Sequence, residues 1–213
     1  MHKPFIENMR KEMVELQLRN RGITDNRILN AMLKVPRHLF LNKDLHDEAY
    51  MDGPLPIGFD QTISQPYIVA YMTEVLKIEQ QHSVLEVGTG CGYQAAILSS
   101  LGRRVVSLER IKELAESAQQ RLQELGYGNV DVINANGWNG YQKDAPYDRI
   151  IVTAGAKSVP AALVDQLANG GIMVIPVGKI LFSQTLRIIS KDSSGNVTKQ
   201  TSLPVRFVRF VNK

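Results

Sequence analysis

The sequence predicts an α/β fold: a doubly wound, mostly parallel sheet with an N-terminal helical extension and a C-terminal antiparallel strand. Three observations carry that prediction. Beyond residue 80, short apolar runs alternate with helical patterns, the order of a parallel sheet with crossover helices. The run Val84-Leu85-Glu86-Val87 breaks into Gly88-Thr89-Gly90-Cys91-Gly92 and then enters a helical pattern from Gln94 to Leu101. Such a strand, tight turn and helix place a ligand site at the carboxyl end of a strand. Before residue 80 the chain carries helical patterns and turns instead, with no internal repeat.

The elements follow in order. Met9, Met13 and Leu16 share one face of a helix predicted from Phe5 to Arg21, and Gly22 ends it. Thr24 or Asp25 caps a second helix that runs to Leu33. Pro54, Pro56 and Gly58 mark an irregular segment. Pro66 suits a first helical turn, so a helix is expected from there to Lys77. Apolar runs predict strands at 83–87, 104–108, 130–134 and 149–153, with helices at 91–101, 111–125 and 160–167. Gly170-Gly171 opens the apolar run Ile172 to Val177. Further strands are expected at 182–190 and 205–211, with a turn at Ser193-Ser194-Gly195-Asn196 between them. The expected organisation is one domain over 1–213, with an extension at 1–79 and the sheet-bearing core at 80–213.

Composition narrows the function classes. With 44% hydrophobic and 22% charged residues the chain reads as a soluble globular protein. It has no long apolar span and no signal-peptide pattern at Met1-His2-Lys3-Pro4, so no membrane role is expected. Cys91 is the only cysteine, which excludes an internal disulfide and makes a cytoplasmic location the expectation. A net charge of +4 is too small to argue for nucleic acid. His2, His38, His46 and His82 show no metal-ligand spacing, and one cysteine cannot build a thiolate zinc cluster. A monomer without metal is expected.

The glycine turn separates two cofactor readings. A dinucleotide site reads Gly-x-Gly-x-x-Gly. Here the third glycine arrives one residue early, giving Glu-x-Gly-x-Gly-x-Gly from Glu86 to Gly92. That pattern resembles the first motif of the Rossmann-like methyltransferases, which implies S-adenosyl-L-methionine as cofactor and S-adenosyl-L-homocysteine as product. Gly88, Thr89 and Gly90 are then the turn that approaches the ligand. Glu86 is a strand carboxylate that needs donors once buried; the turn amides or a cationic ligand are the candidates. Glu109 ends the second core strand, followed by Arg110, and can accept the ribose hydroxyls of an adenosine, a device NAD sites share. The resemblance assigns Asn136, with Gly137 beside it, to the adenine amino group; methyltransferases of this type usually carry an acid there. Thr153 ends the fourth core strand and is expected at the methyl-donor end. Cys91 is read as a small side chain packed beside the cofactor.

A second stretch, Pro54-Leu55-Pro56-Ile57-Gly58-Phe59-Asp60-Gln61-Thr62-Ile63-Ser64-Gln65-Pro66-Tyr67, resembles the substrate segment of the protein-L-isoaspartate (D-aspartate) O-methyltransferases, bacterial type. The resemblance extends to Val35-Pro36-Arg37-His38-Leu39-Phe40, to Ile150 through Ala154, to Val174 through Gly178 and to Pro204 through Val208. It implies methyl transfer to the α-carboxylate of isoaspartyl residues in age-damaged proteins, with D-aspartyl a further acceptor, and repair through a succinimide. Ser64 matches the family's active-site serine. Its hydroxyl is expected to orient the attacking carboxylate; no His or Asp stands in relay to make it a nucleophile. A helix N-cap is the plainer role for the same side chain. Gln61, Thr62 and Ile63 are expected to shape the gate over the cofactor. Ile57, Gly58, Val205, Arg206, Phe207 and Val208 are expected to bind the peptide, the last four through strand-like main-chain pairing. Phe59 and Asp60 stand where the family has His or Gln followed by glycine, and Lys179-Ile180-Leu181-Phe182 replaces a polar glycine-rich turn. These departures motivate a rival reading, a methyltransferase with another substrate. A non-catalytic adenosyl-binding or damaged-protein-binding module is the rival from a different class.

Overall fold

The computed structural model describes residues 3–178 and 183–211. Strands β3 (Ser83–Val87), β4 (Arg104–Glu109), β5 (Val130–Asn134), β6 (Tyr147–Val152), β7 (Leu167–Val177), β8 (Gln184–Lys191) and β9 (Val197–Val205) form one sheet in the order β5-β4-β3-β6-β7-β8-β9. β3 to β7 pair in parallel, whereas β8 is antiparallel to both of its neighbours. The chain runs outward through β4 and β5, then returns to place β6 on the other side of β3. That reversal opens a crevice at the carboxyl ends of β3 and β6, where open α/β sheets bind ligands.

Both faces of the sheet are covered, which is why its strands read as unbroken apolar runs. Neighbouring residues alternate between two cores. Val84, Val105, Ile151 and Val174 belong to one, with Met13, Leu18, Ile28 and Met32 of the N-terminal extension. Leu85, Val106, Ile150 and Met173 belong to the other, with Leu163 and Phe210. The extension therefore shares a core with one sheet face. Arg37, fully buried, helps hold it there: its Nε donates to the Ala49 carbonyl at 2.7 Å and its guanidinium lies over the Tyr93 ring.

The helices are α1 (Lys3–Glu12), α2 (Asn26–Lys34), α3 (Pro66–Leu76), α4 (Tyr93–Ser99), α5 (Lys112–Glu124) and α6 (Ala161–Asp165). Asp25 caps α2 by accepting from the Arg27 amide. Pro66 does begin α3, and Lys77 closes it in the left-handed conformation.

Four expectations are corrected. The helix expected from Phe5 to Arg21 is α1 followed by a π-helical turn, Met13–Leu18, and a 3-10 turn, Arg19–Arg21. The widened turn buries Met13, Val14 and Leu18 together, a face that strict α-helical spacing does not give. The irregular segment at Pro54 is a hairpin, β1 (Leu55–Gly58) and β2 (Gln61–Ile63), joined by Phe59 and Asp60. Pro56 is tolerated because the sheet has only two strands, so Pro56 has an open edge. The helix expected at 160–167 spans only Ala161–Asp165, and β7 already begins at Leu167. The last strand is Val197–Val205, not 205–211; it is an exposed edge strand whose polar residues carry no apolar alternation. Residues 206–211 instead follow it across the carboxyl end of β6, where the Gly155 amide donates to the Val208 carbonyl and the Phe210 amide to the Gly155 carbonyl.

Candidate functional site

The glycine turn leaves β3 with Gly88 at φ +102°, Gly90 at +54° and Gly92 at +90°. The Gly88 and Thr89 amides both reach the Leu108 carbonyl of β4. Gly88 is the position where a side chain has no room: an added Cβ would strike Thr153 Oγ1. That hydroxyl lies against the turn because it donates to the carbonyls of Val87 and Gly88, the latter at 2.6 Å. Thr153 thereby ties the end of β6 to the turn after β3.

Glu109 fixes the other side. Its Oε2 accepts from the Gly90 amide at 2.9 Å and its Oε1 from the Ile111 amide at 3.0 Å. A carboxylate has about four lone-pair sites, so two remain for further donors such as hydroxyls. Asn136 caps a short 3-10 turn by accepting from the Trp138 amide. Its carbonyl oxygen is therefore already engaged by the turn and keeps one lone pair for a ligand amine.

These groups surround a cleft with about 800 Å³ of empty space, its open mouth included. It is lined by Gln61, Thr62, Ile63 and Ser64 from β2 and the loop after it, by Gly88, Thr89 and Gly90, by Glu109 and Arg110, by Asn136 and Gly137, and by Thr153. Thus residues spread over 93 positions converge, from Gln61 to Thr153. The cleft has further walls that sequence reasoning missed. Val87 and Leu108 supply apolar surface from strand ends, and residues 209–211, following the expected Val208, close the far side. The strand ends carried a usable signal, since each immediately precedes a named residue. Residues 209–211 carried none, because their place depends on the bridge to Gly155.

An S-adenosyl group fits this donor set. Positive-φ glycines give a backbone without side chains at the turn. Glu109 offers a fixed carboxylate for a pair of hydroxyls. Between the two, Val87, Leu108 and Ala135 give an apolar wall suited to an aromatic base. Among the described residues no group of three His, Cys, Asp or Glu could hold a metal ion.

Glu86 stands apart from the cleft lining. It is fully buried, and its Oε2 accepts from Ser107 Oγ at 2.5 Å; Ser107 Oγ in turn meets Thr89 Oγ1 at 2.6 Å. The expected donors were the turn amides or a cationic ligand. Those amides go to Leu108 and Glu109 instead, and Ser107, the residue paired with Glu86 across β3 and β4, takes their place. Among the described residues Glu86 Oε1 has no hydrogen-bond partner. Burial, against the Ser107 hydrogen bond and aided by the Glu109 charge, pushes the Glu86 carboxyl up to about 8. Its ordinary value is 4.5, so between those limits the folded state holds one more proton than the unfolded state. Stability from this group is full below the lower limit and is lost as pH rises through the upper one. Glu86→Gln is expected to remove that loss. Thermal melts should show the variant gaining on the parent between pH 5 and pH 9, and parallel curves would contradict the buried, protonated carboxyl.

Cys91 is buried, and that burial pushes its thiol upward, so it is a packed side chain and not an activated thiolate.

Ser64 lies between β2 and α3, half-buried. The N-cap of α3 is Gln65, with no side-chain cap, so the capping role open to Ser64 is not used. Among the described residues the Ser64 hydroxyl has no hydrogen-bond partner within the protein. It also lines a second cavity, with Pro54, Thr62, Gln65, Ile68 and Thr153 on one side and Ser183, Pro204, Val205, Arg206, Phe207 and Val208 on the other. Ser64, Thr62, Thr153 and Val208 belong to both cavities. These four residues are a wall common to the two spaces.

Ile57 and Gly58 are not among the residues lining that groove. Ile57 packs on the glycine turn, where a Cβ on Gly90 would meet its Cδ1 at 3.2 Å. Phe59 and Asp60 at the hairpin tip both adopt positive φ, at +53° and +55°. That is the conformation a two-residue hairpin turn requires, and glycine or asparagine suits it better than phenylalanine. Asp60 is exposed. The altered loop from Lys179 to Phe182, with the first expected residue of the strand at 182–190, lies outside the described residues.

Comparisons with known proteins point to one family. Residues 8–213 match the model of the family described as protein-L-isoaspartate(D-aspartate) O-methyltransferase. A protein-L-isoaspartate O-methyltransferase of Synechococcus sp. is 53% identical over 98% of this chain and 87% of its own length. One from Geobacter metallireducens is 50% identical over 96% of this chain and 94% of its own. A solved protein-L-isoaspartate O-methyltransferase superposes with a TM-score of 0.86 at 31% identity, covering 94% of this chain and 65% of that one. A Plasmodium falciparum structure in complex with S-adenosyl-L-homocysteine superposes with a TM-score of 0.81 at 26% identity, covering 96% of this chain and 99% of that one.

Proposed function

Because the chain belongs to the protein-L-isoaspartate(D-aspartate) O-methyltransferase family, we propose that its two joined cavities perform that reaction: methyl transfer to the α-carboxylate of isoaspartyl residues in damaged proteins. S-adenosyl-L-methionine supplies an activated methyl group when bound. The single observation that carries the assignment of roles is Ser64, without a hydrogen-bond partner among the described residues and shared by the cofactor cleft and the groove.

The chemistry asks little of a base. A carboxylate with an ordinary value near 4 is already ionised at neutral pH. What the protein must supply is alignment of one carboxylate oxygen with the methyl carbon, and a site with few waters. Ser64 Oγ donates a hydrogen bond to the carboxylate oxygen that does not attack, which fixes the plane of the group. Thr62 walls both cavities and Gln61 the cofactor cleft, and Thr153 holds the glycine turn in place. Glu109 holds the ribose, and Asn136 and Gly137 border the base. The peptide lies along Val205 to Val208, where recognition through main-chain groups accepts many sequences around the damaged residue. The ester product leaves a better electrophile than the acid, so the following backbone nitrogen can close a succinimide and expel methanol without help from the enzyme.

A D-aspartyl residue carries its carboxylate one methylene off the backbone, whereas an isoaspartyl residue carries it directly on Cα with the extra methylene in the main chain; D-aspartyl residues are a second acceptor class within this proposal. We propose a single chain as the acting unit. Among the described residues no helix is long and apolar enough to cross a membrane.

The test is turnover on an isoaspartyl peptide and on its aspartyl twin of identical sequence, with labelled methyl donor. Label should enter the isoaspartyl peptide alone. Equal labelling of both peptides would refute the substrate assignment.

A further inference from the structure

Gln184 opens β8 and pairs in register with Val205, the last residue of β9. Its side chain is fully buried, in a position where a polar group is costly unless both ends are bonded. Both ends are bonded to one residue. The Phe207 amide donates to Gln184 Oε1 at 2.7 Å, and Gln184 Nε2 donates to the Phe207 carbonyl at 3.2 Å. The side-chain amide thus takes the place of a strand's main chain just where β9 has ended.

We infer that Gln184 is a positioning residue for the peptide acceptor: its amide clamps the Phe207 backbone, and so shapes the wall of the substrate groove without touching cofactor or substrate. The inference rests on the assignment of Val205 to Val208 to peptide binding.

Three features make the clamp specific. The orientation of the side-chain amide is fixed, because an N–H of Phe207 must face the oxygen and its carbonyl must face the NH₂. The side-chain amide packs on one glycine and the backbone of Gln184 on another. A Cβ on Gly155 would come within 2.7 Å of Gln184 Nε2, and one on Gly178 within 2.9 Å of Gln184 Cα. Neither glycine can be enlarged without displacing the clamp. Finally, the segment has two separate anchors. Gly155 holds Val208 and Phe210, on the side toward the cofactor cleft. Gln184 holds Phe207, which lines the groove and not the cleft.

The Phe207 amide is consumed by Gln184, so Phe207 has no N–H to give an incoming peptide, while its carbonyl keeps one lone pair. The groups of Arg206 and the Val208 amide are the other main-chain groups left for pairing. The clamp therefore sets which main-chain groups are offered and at what spacing.

Separate anchors give a separable readout. Gln184→Leu keeps the volume and removes both hydrogen bonds. It is expected to raise KM for an isoaspartyl peptide by about tenfold, the loss of one to two net hydrogen bonds' worth of ordering. The kcat at saturating peptide and the affinity for S-adenosyl-L-homocysteine should stay within about twofold, since Gly155 still holds the cofactor side. Gln184→Glu keeps the acceptor but turns a carboxylate oxygen on the Phe207 carbonyl, and should raise KM at least as much. Hydrogen exchange at the Phe207 amide reads the clamp without any turnover: the amide should be protected in the parent and exchange faster in Gln184→Leu.

An unchanged KM in both variants would overturn the positioning role. So would a parallel loss of kcat, cofactor affinity and KM, which marks general damage. An unprotected Phe207 amide in the parent would overturn the clamp itself. If the parent labels no isoaspartyl peptide, the functional reading fails, and the exchange measurement still decides the clamp.

Discussion

Ser64→Ala is expected to lower kcat on an isoaspartyl peptide by about a hundredfold, the scale of cost when a reacting group is misplaced by about 1 Å. S-adenosyl-L-homocysteine should bind the variant nearly as well as the parent. Three facts set this expectation. The Ser64 hydroxyl has no hydrogen-bond partner among the described protein groups, so its removal leaves nothing unsatisfied behind. It does not cap α3, whose N-cap is Gln65, so the fold loses no cap. It lines both the cleft and the groove, so it is placed to touch the carboxylate that attacks. Steady-state kinetics with titration calorimetry separates the outcomes. Unchanged kcat would remove Ser64 from the mechanism. A matched loss of cofactor affinity would make it a wall of the cleft only.

Gly88→Ala is expected to weaken S-adenosyl-L-homocysteine binding by at least about a hundredfold, and to abolish measurable turnover at ordinary cofactor concentrations. The backbone at φ +102° is strained for any residue with a Cβ, by a cost on the order of 1–3 kcal/mol. The added methyl also strikes Thr153 Oγ1. Thr153 can retreat only by giving up its hydrogen bonds to Val87 and Gly88, which hold the turn against β6. Either response moves the turn. Thr153→Ala in the same background relieves the collision and leaves the dihedral strain. The double variant should therefore recover part of the affinity, a coupling between touching residues that a thermodynamic cycle measures. Calorimetry with circular dichroism as a check on folding decides it. Full affinity in Gly88→Ala would mean that the turn does not approach the cofactor.

The Glu86–Gly92 turn was legible in the sequence because everything that makes it is local. A buried strand, three positive-φ glycines and a helix stand in consecutive order, and short-range backbone rules read them. The parallel core was legible for the same reason: β3, β4 and β5 fall where apolar runs predict them. The hairpin at Leu55–Ile63 was not, since Pro54 and Pro56 read as breakers until the open edge of a two-stranded sheet accommodates them. β9 was displaced because an edge strand needs no apolar face. Its residues from Val197 to Thr201 are exposed and polar apart from Val197, and carry no period that a sequence reading can find.

The site divides in the same way. Gly88, Glu109, Asn136 and Thr153 end strands or open turns, and topology alone brings strand ends together. The partner of Glu86 was not readable. Its donor is Ser107, which sits beside it only because β3 and β4 pair in that register. The Gln184 clamp lies further still from any local rule. It joins residues 23 positions apart through a side chain that imitates a strand, and an amide in an apolar strand gives no hint of its partner. The resemblance of the Gln61–Tyr67 segment supplied what physics could not, the acceptor. The structure adds why that segment matters: it is the shared wall of two cavities.

The joining of those cavities at Ser64 is the central claim. A structure of the protein with S-adenosyl-L-homocysteine and an isoaspartyl peptide tests it most directly. The cofactor should lie across Gly88 to Gly90 with its ribose on Glu109. The isoaspartyl carboxylate should sit within hydrogen-bond distance of Ser64 Oγ and face the sulfur, with the peptide main chain along Arg206 to Val208. A peptide seated elsewhere, or a carboxylate turned away from both Ser64 and the sulfur, would contradict it.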